Sequence, residues 1–351
     1  MGRRLLIAAG IASSVVGVAT TAGGAYAYLW ERSNADAIAP GVTIAGVDVG
    51  GLHAAQARAL LDARLVRPLR RPLRIEDSRH SFLVRPKTAG VRVDVARMVA
   101  AAVRLSQNGG LADRLLRDLR GRRLHESVPL RAALSHESLA TFVDHVAMVV
   151  DRPARAARVV PVATATGLKI IPSRDGVAVE RARLRAALAA ELLHVGGTRT
   201  LALPTHVVRP RWSTTTIAER YPAFLLVSRE TFTLRLYENL KLARTYRIAV
   251  GRSGLETPAG LYEINDKQVN PSWHVPLSSW AGDLAGRIIP PGPQDPIKSR
   301  WMGFWDGAGI HGTEDAASIG SAASHGCIRM TIPDVEALYP LVPLHTPIYV
   351  G

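Results

Sequence analysis

The feature that most constrains this chain is a run without charged residues from Leu5 to Trp30, which follows Arg3 and Arg4. A helix needs about 20 apolar residues to cross a bilayer, so the run is long enough to span one. The two arginines favour an N-terminus held on the cytoplasmic side, with the rest of the chain outside. We therefore predict a cytoplasmic tail (1–4), a single-pass transmembrane anchor (5–30) and a linker (31–39).

A removed signal peptide is the alternative to this anchor, because Ala25-Tyr26-Ala27 is a small-x-small cleavage site. The protein would then be secreted. Two features favour the anchor: the run exceeds the usual apolar region of about 7–15 residues in a signal peptide, and it ends in Tyr26, Tyr28 and Trp30, which suit a membrane interface. In both cases the rest of the chain is exported.

Export gives weight to Cys327, the only cysteine among the 351 residues. Exported proteins with several cysteines commonly form disulfides, whereas a single thiol cannot pair within its chain and stays available for chemistry. Cys327 lies in the sequence Ser-His-Gly-Cys-Ile-Arg (324–329), sixteen positions after His311. Because a thiolate attacks carbonyl carbons and an imidazole can accept the thiol proton, Cys327 is a candidate nucleophile and His311 a candidate base.

The sequence leaves three alternatives open for this cysteine and its two histidines. His325 stands two residues from the thiol and could rival His311 as the base, since residues two apart in an extended segment point to the same face. Cys327 could be a small buried hydrophobe, as free cysteines usually are. A zinc site built from the cysteine and both histidines is disfavoured, because structural zinc needs four ligands and no further cysteine or paired histidine is near.

The cysteine motif resembles that of the YkuD-type L,D-transpeptidases, bacterial cell-wall enzymes in which a histidine is followed at short range by Ser-His-Gly-Cys. The resemblance covers roughly residues 221–351 and implies a mainly-β catalytic domain. Its further segments, in the order that the family shows, are Val250–Arg252, Glu256–Ile264, Asn270–Trp273 and Pro290–Gly292.

The resemblance also implies supporting roles around the two catalytic residues. The main-chain carbonyl of Gly312 would hold the base in one tautomer, while Ser324 and His325 would support the motif. The backbone N–H groups of Gly326 and Cys327 are predicted to form the oxyanion hole, where removing one donor typically costs about 2.7–4 kcal/mol. Arg329 is predicted either to bind a substrate carboxylate or to form a structural ion pair.

The activity that the resemblance implies is acyl transfer between peptidoglycan stem peptides. Cys327 would attack the bond after the third residue of a donor tetrapeptide, release D-alanine and pass the acyl group to an amine of an acceptor stem, giving a 3→3 cross-link. No metal or organic cofactor is expected. Water in place of the amine would make the enzyme an L,D-carboxypeptidase, and an inactive site would leave a cell-wall-binding protein. A thiol endopeptidase is disfavoured because no papain-like Cys-Trp pair is present.

Residues 40–210 are predicted to form an α+β domain, separated from the catalytic domain by a linker at 211–220. The stretch Pro40–Leu52 resembles the opening of the VanW-associated peptidoglycan-binding domain, and Leu168–Val177 resembles a later strand region of that domain. Seven histidines between positions 53 and 206 are scattered, so no catalytic cluster is predicted here. Apolar periodicity, caps and breakers predict helices at Ala54–Leu65, Val93–Leu105, Leu111–Leu119, 136–150 and Arg181–Leu193.

The catalytic domain shows strand patterns and one short helix. Apolar and polar residues alternate from Phe232 to Tyr237, and Arg244–Val250 is the predicted hairpin partner of this strand. Pro333–Tyr339 is predicted to be a helix because it begins with proline followed by acidic residues. The segment Trp273–Trp305 is predicted to be irregular, forming either a lid over the cleft or a loop of the core.

The formal net charge of +15 comes almost entirely from arginine. Such a surface attracts anions. For an exported protein the expected partners are anionic lipid headgroups or acidic wall polymers, in addition to peptidoglycan stem peptides. No nucleic-acid motif is present, so we expect no nucleic-acid partner.

Overall fold

The computed structural model describes residues 24–351, which divide into two compact units. The N-terminal unit contains the residues up to Asp151 together with Val177–His206, and the C-terminal unit contains Arg152–Gly176 and Val207–Gly351. The C-terminal unit therefore includes residues 152–176, which were predicted from the sequence to lie in the 40–210 domain.

Most of the predicted anchor, residues 5–23, lies outside the described residues. Residues 24–33 are helical. Within residues 24–351, no helix is both long enough and apolar enough to cross a bilayer. The anchor therefore stays a prediction.

The N-terminal unit contains all five of the helices predicted for it. Asp94 caps α2 by accepting a hydrogen bond from the N–H of Arg97 at 3.0 Å, and Ser135 caps α4 by accepting one from Ser138 at 3.1 Å. After α1, the helical path continues through a π-helical turn at Asp62–Val66 and a short helix at Arg67–Leu69. The helices are α1 (Ala54–Leu61), α2 (Val95–Ser106), α3 (Leu111–Leu119), α4 (His136–Val150) and α5 (Arg181–Leu193).

Short strands accompany these helices. Strands β2-β1-β6 and β11-β3-β4 form two three-stranded sheets, and β5-β7 and β10-β12 are pairs, while the β8-β9 pair belongs to the C-terminal unit. The strands of this half of the chain are β1 (Thr43–Ile44), β2 (Val47–Asp48), β3 (Leu73–Glu76), β4 (Ser81–Val84), β5 (Arg92–Val93), β6 (Ser127–Val128), β7 (Ala132–Ala133), β8 (Arg158–Pro161), β9 (Leu168–Ile171), β10 (Gly176–Val179), β11 (Thr200–Ala202) and β12 (Thr205–Val208).

Two apolar cores hold the N-terminal unit together. In the first, α1 and α2 pack with β1 and β6, and Leu61, Met98 and Ile44 are fully buried. In the second, α4 and α5 cover β3 and β4, with Leu188 and Ile75 buried between them. Each of these four helices buries the apolar stripe that predicted it, which is why the helix predictions succeeded here.

The C-terminal unit is built mainly from β-strands, as expected. One sheet has the order β15-β14-β13-β25-β17 and a second has the order β18-β21-β22-β24, with β16-β23 and β19-β20 as pairs. The strands are β13 (Ala223–Ser228), β14 (Thr233–Glu238), β15 (Lys241–Arg247), β16 (Val250–Gly251), β17 (Gly260–Glu263), β18 (Asp266–Val269), β19 (Trp273–His274), β20 (Ile288–Ile289), β21 (Lys298–Trp305), β22 (Ala308–Thr313), β23 (Ala322–Ser324), β24 (Ile328–Thr331) and β25 (Pro347–Val350).

The core of this unit lies between the two sheets. Leu225 and Leu236 of the five-stranded sheet share an apolar cluster with Ile310 and Ile328 of the four-stranded sheet. Helix α6 (Ile332–Leu338) closes the cluster and begins after the cap Thr331, one residue before the predicted start. Short 3-10 helices occupy Ile217–Arg220, Ala316–Ser318 and Tyr339–Leu341, and Ser279–Leu284 forms two 3-10 turns separated by a kink at Gly282.

The outer face of the five-stranded sheet is covered by the β8-β9 hairpin. Val159 and Leu168 of the hairpin pack with Phe224 and Leu226. Arg235 also donates a hydrogen bond to the carbonyl of Ala165 at 3.0 Å. These contacts explain why residues 152–176 belong to the C-terminal unit. The predicted linker is also ordered within this unit, since Ile217 is buried.

One prediction for the C-terminal unit was wrong. Residues 298–305 lie in the segment expected to be irregular, yet they form β21, an eight-residue strand inside the four-stranded sheet. Its pairing with β22 shifts register between Lys298 and Trp301 and again between Gly303 and Trp305. Two bulges destroy the alternation of buried and exposed residues by which a strand is recognised in sequence.

Candidate active site

The ladder between β22 and β24 brings the two motifs together. The strands are parallel, with Ile310 opposite Ile328 and His311 opposite Arg329. Both isoleucines point into the core. Because successive side chains in a strand point to opposite faces, His311 and Arg329 share the other face, on strands about 4.8 Å apart.

Cys327 directly precedes β24, and alternation with the core residue Ile328 places it on the same face. The backbone N–H of Gly309 acts on this thiol and lowers its pKa. The thiol also lies 3.7 Å from the carbonyl oxygen of Gly307. Gly309 precedes His311 by two positions, so the thiol and the imidazole occupy neighbouring positions on one face of the sheet.

The carbonyl of Gly312 orients the imidazole of His311. The distance from Nδ1 to the carbonyl oxygen is 2.8 Å, and a carbonyl can only accept, so Nδ1 carries the proton and Nε2 is left as the acceptor. Gly312 itself is required by space, since a Cβ there would lie 2.6 Å from the carbonyl oxygen of Lys298. The tautomer is therefore the one that a general base needs.

Trp301 is a neighbour of the site that the sequence did not single out. It pairs with His311 across β21 and β22, and the two rings stack with centroids 6.2 Å apart. The indole also lies over Gly309, where any Cβ would clash with the ring. Trp301 thus shields the imidazole, and His311 is only 5% exposed.

Burial shifts both candidate catalytic groups towards their uncharged forms. It lowers the pKa of His311 to about 4, with the Arg329 cation adding to the decrease and the bond to Gly312 opposing it. Burial also raises the pKa of Cys327, although the Gly309 N–H and the Arg329 cation act in the opposite direction. Both shifts favour a neutral thiol and a neutral imidazole over a preformed ion pair.

Ser324 shapes the loop that carries Cys327. Its buried hydroxyl donates to the carbonyl of Cys327 at 2.5 Å and accepts from the N–H of Gly326 at 3.2 Å. Gly326 has φ 115°, a conformation that favours glycine. Since the Gly326 N–H already has an acceptor, only a rearranged loop would make it available to a developing oxyanion.

His325 has a different environment from the one that the sequence suggested. The positive φ of Gly326 breaks the extended backbone, so the argument that His325 and Cys327 share a face does not hold. The ring of His325 stacks on Trp280, with centroids 4.3 Å apart and planes 17° from parallel. Burial lowers the pKa of His325, and the cations of Arg252 and Arg329 lower it further.

Arg329 has both a structural partner and access to the site. Its Nη1 lies 3.7 Å from Oδ2 of Asp315, which corresponds to the ion-pair interpretation. The side chain remains 19% exposed, and a guanidinium has five donors. Other donors of Arg329 could therefore meet a substrate anion.

The segment from Trp273 to Ile289, part of the predicted lid, reaches the site through Trp280. Trp273 and Trp280 stack with centroids 6.5 Å apart, and Trp280 in turn covers His325. The strand pair β19-β20 holds the two ends of this segment together. Part of the predicted lid therefore contacts the cysteine motif in this structure.

A zinc site has no ligand set in the part of the chain that the structure describes. Across residues 24–351, the His, Cys, Asp and Glu side chains do not gather into any group of three that could hold a metal ion.

Two known family models match this chain, one in its N-terminal part and one in its C-terminal part. Residues 222–350 match the model described as "L,D-transpeptidase catalytic domain", YkuD. Residues 83–198 match the model described as "Putative peptidoglycan binding domain". All the candidate site residues fall within the first match.

Curated relatives match over the catalytic region. The "Putative L,D-transpeptidase YkuD" of Bacillus licheniformis is 37% identical over 123 residues, which is 35% of this chain and 61% of that protein. The "Putative L,D-transpeptidase YqjB" of Bacillus subtilis is 30% identical over 129 residues, which is 35% of this chain and 68% of that protein. Among solved structures, the catalytic domain of the E. faecium L,D-transpeptidase is 24% identical with a TM-score of 0.31, covering 37% of this chain and 96% of that domain.

Proposed function

Because the chain belongs to the YkuD-type L,D-transpeptidase family, we propose that it cross-links peptidoglycan stem peptides through a thioester on Cys327. The donor is a tetrapeptide stem, cleaved after its third residue with release of D-alanine. The acceptor is an amine of a second stem, and the product is a 3→3 cross-link.

In the first half-reaction, Cys327 attacks the carbonyl carbon of the third stem residue while Nε2 of His311 removes the thiol proton. The C–S bond forms and the peptide C–N bond breaks. His311 then returns the proton to the departing amine of D-alanine. A neutral imidazole beside a neutral thiol supports this order of events, since the proton moves during attack rather than before it.

In the second half-reaction, the acceptor amine attacks the thioester carbonyl. His311 removes the amine proton and delivers it to the departing Cys327 sulfur, which restores the free thiol. The cation of Arg329 and the backbone N–H of Cys327 are proposed to stabilise the negative oxygen or bind a substrate carboxylate. Water in place of the amine would release a tripeptide.

The observation that carries this proposal is the parallel ladder of β22 and β24. It places the imidazole, with its Nδ1 held by Gly312, next to the strand that directly follows Cys327. A nucleophile, an oriented base and a cation thus lie on one face, which is the arrangement that acyl transfer needs.

The rest of the chain is proposed to place this site at the cell wall. Residues 83–198 match a domain family described as peptidoglycan binding, which supports a wall-holding role. The uncharged run 5–30 supports a single-pass anchor with both units outside the cytoplasm, or export followed by cleavage. The surplus of arginine supports contact with anionic lipids or wall polymers.

Mass spectrometry of the products would test the activity. The full chain in detergent is incubated with a disaccharide-tetrapeptide, beside the variants Cys327→Ala and His345→Gln. His345 is an exposed histidine of the same unit and serves as the matched control. We expect dimers with loss of D-alanine from the original chain and from His345→Gln, and no product from Cys327→Ala.

Two results would contradict the proposal. A monomeric tripeptide as the sole thiol-dependent product would identify an L,D-carboxypeptidase. No thiol-dependent product from folded protein would identify a wall-binding protein without this activity.

A further inference from the structure

Helix α3 of the N-terminal unit exposes the C-terminal part of its apolar face. Leu116 is 46% exposed and Leu119 is 68% exposed, and no residue of the helix is buried. Leu111, Leu115 and Leu119 follow one another at intervals of four, so they form one stripe with Leu116 at its side. Leu111 and Leu115 are partly buried, so the exposed part of the stripe is its C-terminal end. None of these leucines belongs to a core cluster of the unit.

The polar face of α3 is the face that contacts the protein. Arg114 donates to Glu31 at 2.8 Å, and Arg117 donates to the carbonyl of Ser106 at 2.5 Å. Asp118 accepts a hydrogen bond from Nε1 of Trp30 at 3.1 Å. A helix on a soluble protein normally does the reverse, burying its apolar stripe and exposing its charges.

The contacts of α3 also fix its position in the unit. Trp30 ends the uncharged run, and Glu31 is the first charged residue after it. The neighbouring helical residues expose further apolar side chains, with Tyr26 at 56%, Tyr28 at 61% and Leu29 at 63%. The leucine stripe therefore lies on the helix that is tied to the end of the predicted anchor.

Cationic side chains accompany this apolar surface. Arg120, Arg122 and Arg123 follow α3 directly, and Arg32 follows Glu31. All four residues are exposed, and among residues 24–351 none of them forms an ion pair. Arginines beside exposed leucines and tyrosines suit the headgroup region of a bilayer, where the rings and leucines meet acyl chains and the guanidinium groups meet phosphates.

We propose that α3 docks on the surface of a bilayer that contains anionic lipids, with its leucine stripe at the level of the headgroups. This docking rests on the proposed anchor and is independent of the transpeptidase chemistry. It would hold the N-terminal unit against the membrane through a second contact, in addition to the anchor. The occupant is lipid rather than protein because the charge of the surrounding side chains complements an anionic headgroup layer.

Nitroxide accessibility in nanodiscs would test the docking. The full chain with Cys327→Ala carries one engineered cysteine, either Leu119→Cys or the control Met148→Cys on α4, where Met148 is 79% exposed. Discs of phosphatidylglycerol and phosphatidylcholine are isolated through the disc protein, and collision rates with oxygen and with a water-soluble nickel complex are compared. We expect the Leu119 label to collide more with oxygen and less with nickel than the Met148 label.

The arginines provide a second test. Replacing Arg120, Arg122 and Arg123 by glutamine should weaken docking about fivefold per arginine in anionic discs and leave neutral discs unchanged. Melting curves followed by circular dichroism verify that each labelled chain is folded, and Leu116→Cys replaces Leu119→Cys if that variant does not fold.

Three outcomes would overturn the proposal. Equal nickel accessibility at positions 119 and 148 would show α3 in water. Low accessibility to both reagents would show that the stripe is covered by protein, including a second copy of the chain. Absence of the chain from the isolated discs would remove the anchor on which the docking depends, while leaving the transpeptidase proposal untouched.

Discussion

The two units differ in what they bury. Among residues 24–351, nine polar or charged residues are buried, and eight of these lie in the C-terminal unit, including His311, Ser324 and Asp295. The N-terminal unit buries one, Ser106, whose hydroxyl donates to the carbonyl of Ala102 within the same helix. Burying a polar group costs free energy unless it is hydrogen bonded. The comparison indicates that the C-terminal unit carries chemistry, while the N-terminal unit is held together by apolar packing.

The largest expected effect is on catalysis in the C-terminal unit. His311→Gln should reduce turnover about 10²–10⁴-fold, because the proton acceptor is lost while the bond to Gly312 can be kept by the amide. Steady-state kinetics of stem-peptide conversion measure the effect, and thermal melting verifies the fold. If the variant kept turnover close to that of the original chain, His311 would not be the general base.

The second prediction tests whether buried residues of the N-terminal unit contribute to stability alone. Leu188→Ala removes a fully buried side chain from the α4–α5 core and should cost about 2–5 kcal/mol of unfolding free energy. Turnover by the folded protein should stay unchanged. Calorimetry and kinetics on one preparation measure both, with the exposed Met148→Ala as control. Loss of turnover without loss of stability would show that the N-terminal unit also contributes to catalysis.

The third prediction concerns the acid limit of activity. Burial favours the uncharged imidazole, so His311 stays a base until the pH falls towards its pKa of about 4, well below the ordinary histidine value of 6.5. At pH 5.5 about nine tenths or more of the base should remain active, whereas an ordinary histidine would keep about a tenth. The acid side of the pH profile of kcat/KM measures this loss of activity. A midpoint near 6.5 would indicate that the imidazole is hydrated in the working enzyme.

The smallest expected effect concerns Trp280. Trp280 holds its segment against the cysteine motif by stacking on His325, and this stack should be worth about 0.5–1.5 kcal/mol. If substrate binds to the site with this segment in place, Trp280→Ala should raise KM about 2–12-fold with kcat nearly unchanged. Trp280→Phe keeps a stacking ring and should recover most of the loss. An equal KM for the alanine and phenylalanine variants would show that the ring acts only in folding.

Local sequence signals predicted much of the fold. The strand at Thr233–Glu238 follows from alternation. Its partner β15 overlaps the predicted partner Arg244–Val250 only at 244–247, because it begins directly after a two-residue turn with Asn239 and Leu240 at positive φ. The cap Ser135 began a helix where it was expected to. Strand β21 escaped prediction because its bulges remove the alternation. The β8-β9 hairpin was assigned to the other domain because neighbours in sequence do not reveal which sheet face a hairpin will cover.

The site shows the same division. Cys327 and His311 could be selected from the sequence because their residue types and spacing form a motif. Trp301 could not, although Asp306-Gly307 is a hairpin signal that joins β21 to β22. Counting back from that turn would place Met302 opposite His311, and only the bulge between Gly303 and Trp305 brings Trp301 there.

The sequence by itself determined which chemical groups and segments this protein has: one thiol, a histidine at the family spacing, an uncharged run at the N-terminus and a large surplus of arginine. The tertiary structure decided their states. Burial favours the uncharged forms of His311 and Cys327, the Arg329 cation adds to this effect at His311 and opposes it at Cys327, and packing leaves Leu116 and Leu119 of α3 exposed. Residue identity fixes which groups can react, whereas a pKa and an exposed face depend on what surrounds each group, and residues distant in sequence supply those surroundings.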